Sequence, residues 1–96
     1  MQATFTPAAR AEVIETQDWY ESHQAGLGVR FRGQLEIVVS RMTENPYQFP
    51  AVFQNLHRAR LRKFPYSLFF RIESEVLVVI ACFHGSRDPQ YWQQLI

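Results

Sequence analysis

The apolar residues of this chain change their period halfway along, from one that suits a helix to one that suits a strand. Phe31, Leu35, Val38 and Met42 recur at spacings of 4, 3 and 4, which aligns them on one face of a helix. Beyond residue 56 the pattern alternates. HRARLRKF sets Arg58, Arg60 and Arg62 against Ala59 and Leu61, and YSLFFRI sets Tyr66, Leu68, Phe70 and Ile72 against Ser67, Phe69 and Arg71. Alternation of this kind places side chains on opposite faces of a strand. VLVVIACF is apolar throughout, the mark of an interior strand covered on both sides. Helices first and strands afterwards define an α+β chain, with helices gathered on one face of a sheet.

The punctuation supports that division. Residues 2 to 5 alternate weakly and predict a short first strand. Thr6-Pro7 then supplies a hydroxyl N-cap and a proline at the first helical position, where a missing N–H costs nothing. The first helix is expected from Pro7 to about His23, with Ala9, Val13, Thr16 and Tyr20 on its inner face and Glu12, Glu15, Asp18 and Glu21 outside. Ala25-Gly26 breaks it. The second helix is expected from Leu27 to about Thr43, ended by Asn45-Pro46, because the residue before proline disfavours the α region. The short break predicts an antiparallel helical hairpin.

Residues 44 to 55 carry two prolines and read as a loop that Tyr47, Phe49, Val52 and Phe53 pin to the core. ESE reads as a tight turn. Asp88-Pro89 is expected to start a last short helix that packs back through Tyr91, Trp92 and Leu95. The predicted order is β-α-α-β-β-β-α: a helical hairpin on one face of a mostly antiparallel sheet, with residues 1–96 as one domain.

The totals fit such a domain. Ninety-six residues allow one two-layer core, and 47% hydrophobic with 15% aromatic residues is enough to fill it and argues against disorder. The single Cys82 excludes an intramolecular disulfide framework and a cysteine-rich zinc site. It is expected to be a small buried hydrophobe and not a nucleophile. His23, His57 and His84 lack metal-ligand spacing, so neither a metal nor another cofactor is expected. The start, MQATFTPAAR, has no basic stretch leading into an apolar run, and VLVVIACF is far short of the ~20 residues that span a bilayer. A soluble, cytoplasmic protein with no membrane association is expected.

One segment stands out chemically. RARLRKFPYSLFFR, residues 58 to 71, holds five cations, and no acid lies between Glu44 and Glu73 in a chain whose net charge is only +1. A one-residue slip of register would bury three guanidinium groups at prohibitive cost. Arg58, Arg60 and Arg62 must therefore point away from the helices, or to the rim.

The strand-helix-helix start, ENP after the second helix, R-x-R-x-x-FPY-x-x-F-x-R-I and F-H-G-x-R-D-P-x-x-W together resemble the RelE/ParE superfamily over nearly the whole chain. These are toxins of bacterial type II toxin–antitoxin pairs, often called plasmid-stabilisation proteins. The resemblance implies a growth-inhibiting activity and a cognate antitoxin that neutralises it. It leaves two targets open. RelE-type members cut mRNA in the ribosomal A site, using basic residues on the sheet, an Arg in the following strand, and a His, Arg or Tyr near the C-terminus. ParE-type members are associated with inhibition of DNA gyrase and are not nucleases.

Cleavage by 2′-OH attack requires a base, stabilisation of the phosphate charge and an acid. As a nuclease, the chain would draw on Arg60, Arg62, Arg71, His84 and Arg87. Guanidinium groups suit phosphate, and a histidine, here His84, is the usual choice of general acid or base. As a target-binding protein, it would use Arg58, Arg60, Arg62, Arg71, His84, Arg87 and Trp92. Set against the nuclease segment GYRLVY, FPYSLFF places Ser67 where the catalytic Arg would fall, and Arg71 lies ~13 Å further along at ~3.3 Å per residue. FPYS…FFRI also resembles the ParE-like form, so the ParE-like branch is favoured.

Structural readings stand beside these. Arg71 can pair with Glu73 or Glu75, His84 can be a turn residue, Arg87-Asp88 a local ion pair and Trp92 part of the core. The resemblance implies an antitoxin tail with a helix in the groove of the helical hairpin. Trp19, Tyr20, Leu27, Phe31 and Leu35 are the candidates for that surface, although Tyr20, Phe31 and Leu35 also fit a purely internal role. A decayed, non-toxic member that only binds antitoxin is the blandest alternative.

Overall fold

The structure, a computed structural model, describes residues 1–85. Its elements are β1 (Gln2–Phe5), α1 (Pro7–His23), α2 (Leu27–Glu44), a 3-10 turn (Pro46–Gln48), β2 (Ala51–Phe53), β3 (Leu56–Arg60), β4 (Tyr66–Glu73) and β5 (Val76–His84). The five strands form one sheet in the order β1-β5-β4-β3-β2. β1 runs parallel to β5, and every other pairing is antiparallel. The expected terminal helix, with Tyr91, Trp92 and Leu95, lies outside the described residues, as does Arg87.

The helices start and stop where their sequence dictates. The Thr6 hydroxyl accepts a hydrogen bond from the Ala9 N–H at 3.1 Å, satisfying one of the orphan donors of the first turn. At the hairpin, Gly26 takes φ +88°, a left-handed conformation that glycine adopts without penalty. The Glu21 carboxylate then closes the start of α2, accepting from the Gly26 N–H at 2.8 Å and the Gly28 N–H at 2.9 Å. These bonds, Gly26 first, hold its pKa below the usual value. Gly28 lies where the two helices come close: an added Cβ would lie 2.7 Å from the Gln17 carbonyl oxygen.

The two sheet faces carry separate apolar clusters. Ala9 and Val13 of α1 and Phe31, Leu35, Val38 and Met42 of α2 pack on Ala59, Leu61, Leu68, Phe70, Leu77, Val79 and Cys82. On the other face, Leu56, Phe69, Ile80, Ala81 and Phe83 are buried together. β5 is thus interior, between β1 and β4, and apolar on both sides.

Three details depart from the sequence expectation. Residues 44 to 55 are not a plain loop: a 3-10 turn buries Pro46 and Phe49, and β2 adds a fifth strand at the sheet edge. That single turn aims Tyr47 outward, 72% exposed, so it does not pin the segment. The basic strand ends at Arg60, because the Leu61 N–H bonds back to the Tyr66 carbonyl and the chain turns between them. Finally, β5 contains a bulge. Phe69 pairs with Ala81 but Phe70 with Val79, so Ile80 is an extra residue that shifts the alternation. Before it, Leu77 and Val79 face the helices; after it, Cys82 does.

Candidate functional site

The cations of residues 58 to 63 converge at the turn end of the β3–β4 hairpin. Arg58 sits opposite Phe69, and Arg60 opposite Ser67. The Arg58 Nε–H donates to the Ser67 Oγ at 3.0 Å, and its guanidinium lies 5.7 Å from the centre of the Phe69 ring. Burial, and then the neighbouring Arg60 charge, pull the Arg58 guanidinium below its ordinary value. Ser67 is itself buried. The residue that stands in place of a cation therefore acts as an anchor for one.

Arg58, Arg60, Leu61, Phe64, Pro65, Tyr66, Ser67 and Gly85 line a cleft at this end of the sheet. The Gly85 N–H donates to the Pro65 carbonyl at 2.6 Å, tying the end of β5 to the turn. Arg60 also looks the other way. With Arg62, Lys63 and, from α2, Gln34, Ile37, Val38 and Arg41, it lines a second groove. Arg41 and Lys63 were not singled out in the sequence. Lys63 was legible as part of the charge run, whereas Arg41 lies far off in sequence and joins only through the packing of α2.

His84 is elsewhere. It pairs with Tyr66, whose ring it meets edge-on at 5.1 Å. With Glu12, Glu15, Thr16, Trp19, Tyr66 and Cys82 it lines a depression on the α1 side of the sheet. The bulge at Ile80 is responsible: unbroken alternation from Val79 would have set His84 on the face that carries Arg58. In the same region β1 has ended, and the Cys82 N–H is taken by the Glu12 carboxylate at 2.9 Å. Burial, then Glu12, push the Cys82 thiol up to about 12, which fits a buried hydrophobe and not a nucleophile.

Arg71 is also remote. It belongs to the far end of β4, opposite Val78, and its Nε lies 2.6 Å from the Glu73 carboxylate. The local ion pair describes it. Arg87 and Trp92 lie outside the described residues.

The residues named for the antitoxin surface divide. Phe31 and Leu35 are buried in the core, and Tyr20 is half-buried among Phe31, Phe64 and Tyr66. Leu27 is half-buried. Trp19 is 54% exposed and stacks on His23 with ring centres 3.9 Å apart. The groove between the helices lies on the opposite side of α1. It encloses about 420 Å³ and is lined by Phe5, Arg10, Val13, Ile14, Arg32, Leu35, Glu36, Val39 and Ser40. Of the candidates only Leu35 reaches it. The helical stripe correctly picked inward residues, but the flanks of a stripe, not its centre, border a groove.

A helical hairpin on one face of a five-stranded mixed sheet is the architecture of RelE- and ParE-type toxins. The chain is similar to a chain of the chromosomal ParDE toxin–antitoxin system from P. aeruginosa, with TM-score 0.74 and 17% identity over 88% of this chain and 95% of that one. It is also similar to the isolated E. coli RelE toxin, with TM-score 0.63 and 20% identity over 98% of this chain and 94% of that one. A third likeness is to a chain of the intact E. coli RelBE toxin–antitoxin complex, with TM-score 0.62 and 21% identity over 90% and 98%. No curated protein matches it in sequence.

The family model described as ParE toxin of type II toxin-antitoxin system, parDE, matches residues 3–89, and the chain belongs to that family. It is the toxin component of a type II toxin–antitoxin system.

Proposed function

We propose that this toxin acts by binding, not by cutting RNA: it inhibits a large target such as DNA gyrase and is neutralised in the cytoplasm by a cognate antitoxin. The observation that carries this reading is the separation of His84 from the basic cleft. Among the described residues, the cleft of Arg58, Arg60 and Ser67 holds no group that titrates near neutrality. A guanidinium stabilises developing charge but serves poorly as acid or base. Ser67, where a nuclease has arginine, is already engaged by Arg58.

Arg58, Arg60 and Arg62 are the residues assigned to target binding. The antitoxin is assigned the groove between α1 and α2, where an amphipathic helix can set apolar side chains against Val13, Ile14 and Val39. Trp19, exposed beyond the other side of α1, is assigned to a wrapping segment of the same antitoxin.

Two reactions test the target. The purified toxin is added to a gyrase supercoiling assay and to a reconstituted translation reaction in which mRNA 5′ ends are mapped. Inhibited supercoiling with intact mRNA is expected. New 5′ ends at the ribosomal A site would overturn the reading and return His84 and the basic strand to a catalytic role.

A further inference from the structure

The groove between α2 and the β3–β4 turn has a chemistry of its own. Its wall is cationic: Arg41 from α2, Arg60 from the end of β3, and Arg62 and Lys63 from the turn. Among the described residues no Asp or Glu lines it. Arg60, Arg62 and Lys63 take part in no ion pair among the described residues. Its floor is aliphatic, with Val38 buried and Ile37 54% exposed. Gln34 adds an amide that both donates and accepts.

Arg41 is held ready. Its Nη2–H donates to the Gln48 Oε1 at 3.3 Å, and its guanidinium lies 5.4 Å from the centre of the Phe49 ring. A group fixed in this way loses little freedom on binding. Lys63 carries a second signal. It has φ +69°, a left-handed conformation favoured by glycine and asparagine and strained for a long side chain. Glycine would relax the turn, yet the chain places a cation there. Gly33 lies one turn before Ile37 on α2, and an added Cβ would meet nothing within 4 Å. Nothing among the described residues requires a glycine at that point of a helix, so the notch beside Ile37 is open to an incoming chain.

We infer that this groove is a docking site for an acidic amphipathic segment of a partner protein, whose carboxylates pair with Arg41, Arg60, Arg62 and Lys63 while an aliphatic side chain covers Ile37. The aliphatic floor, and a lining with no aromatic ring among the described residues, favour a peptide over a nucleic acid, whose bases need stacking platforms. The inference deepens the reading of the basic end as a protein-binding surface and rests on it.

The full-length ¹⁵N-labelled chain is titrated with a helical Glu/Leu peptide, with polyglutamate of equal charge, and with single-stranded oligouridylate. Backbone resonances report where each binds. The Glu/Leu peptide should shift residues around Ile37, Arg41, Arg62 and Lys63, and its affinity should fall as salt rises. Polyglutamate should bind more weakly. Arg62→Glu with Lys63→Glu should weaken the peptide by ~10-fold or more. Lys63→Gly should also weaken it without lowering the melting temperature, which separates docking from folding. Arg71→Gln, in the remote ion pair with Glu73, should leave it unchanged.

Three results would each overturn the inference: shifts confined to the groove between the helices, no localised shifts, or tighter binding of oligouridylate at the same residues. Localised peptide binding in a toxin that fails to inhibit supercoiling would leave the docking site standing and remove only gyrase as the target.

Discussion

The two ends of β4 use arginine for opposite purposes. At the far end, Arg71 has Glu73 two residues away on its own strand, and the two side chains neutralise each other at 2.6 Å. At the turn end, Arg58, Arg60, Arg62 and Lys63 share a rim without a single acid among the described residues that line either cleft. The first arrangement serves the fold. The second raises the electrostatic energy of the folded chain through like-charge repulsion; burial first, and then the neighbouring Arg60 charge, pull the Arg58 guanidinium down. A like-charged cluster kept in spite of that cost is best explained by a partner. Residue type alone therefore does not separate structural from functional arginines; the nearest carboxylate does.

Charge reversal tests that contrast most severely. Arg60→Glu with Arg62→Glu should raise survival of cells expressing the toxin by at least ~30-fold, the effect of losing a ~2 kcal/mol contact at an interface. Arg71→Gln should leave survival at the level of the unaltered toxin. Equal rescue by both would erase the distinction between the two ends.

A smaller effect is expected at the anchor. Ser67→Ala removes the acceptor from the half-buried Arg58 Nε and should cost about 1–3 kcal/mol in urea unfolding. Unchanged stability would mean that solvent, and not Ser67, holds Arg58 in place. The smallest effect belongs to the paired end. A double-mutant cycle on Arg71 and Glu73, whose side chains are 35% and 53% exposed, should yield a coupling of only about 0.2–1 kcal/mol. A larger value would make this pair a structural clamp.

The elements were largely legible because their signals are local. The Thr6-Pro7 start, the Gly26 break, the inner stripe of α2 and the alternation of β4 each depend on a few neighbouring residues, and each appears in the structure as read. β2 was missed because Ala51–Phe53 is short and sits between prolines and a turn. Its strand character comes from pairing with β3, which no local pattern records.

The site was less legible. Arg58 was placed correctly on the face away from the helices, since burying it would be too costly, while Arg60 and Arg62 stand at the rim, where they line a groove with α2. His84 could not be placed. VLVVIACF is apolar on both faces, so a one-residue bulge at Ile80 leaves no trace in its hydrophobic pattern. Yet that bulge decides whether His84 lies with the arginines or beneath α1.

By itself the sequence determined the two layers, the helical hairpin, the interior strand and the side of the sheet on which the first arginines must stand. Those follow from hydrophobic period, capping chemistry and the cost of burying charge, all of which act over a few residues. Only the tertiary structure decided which cations share a groove, which arginine is neutralised and where the histidine points. Those outcomes depend on strand register and helix packing, which bring together Arg41 and Lys63, or hold apart His84 and Arg58, whatever their distance along the chain.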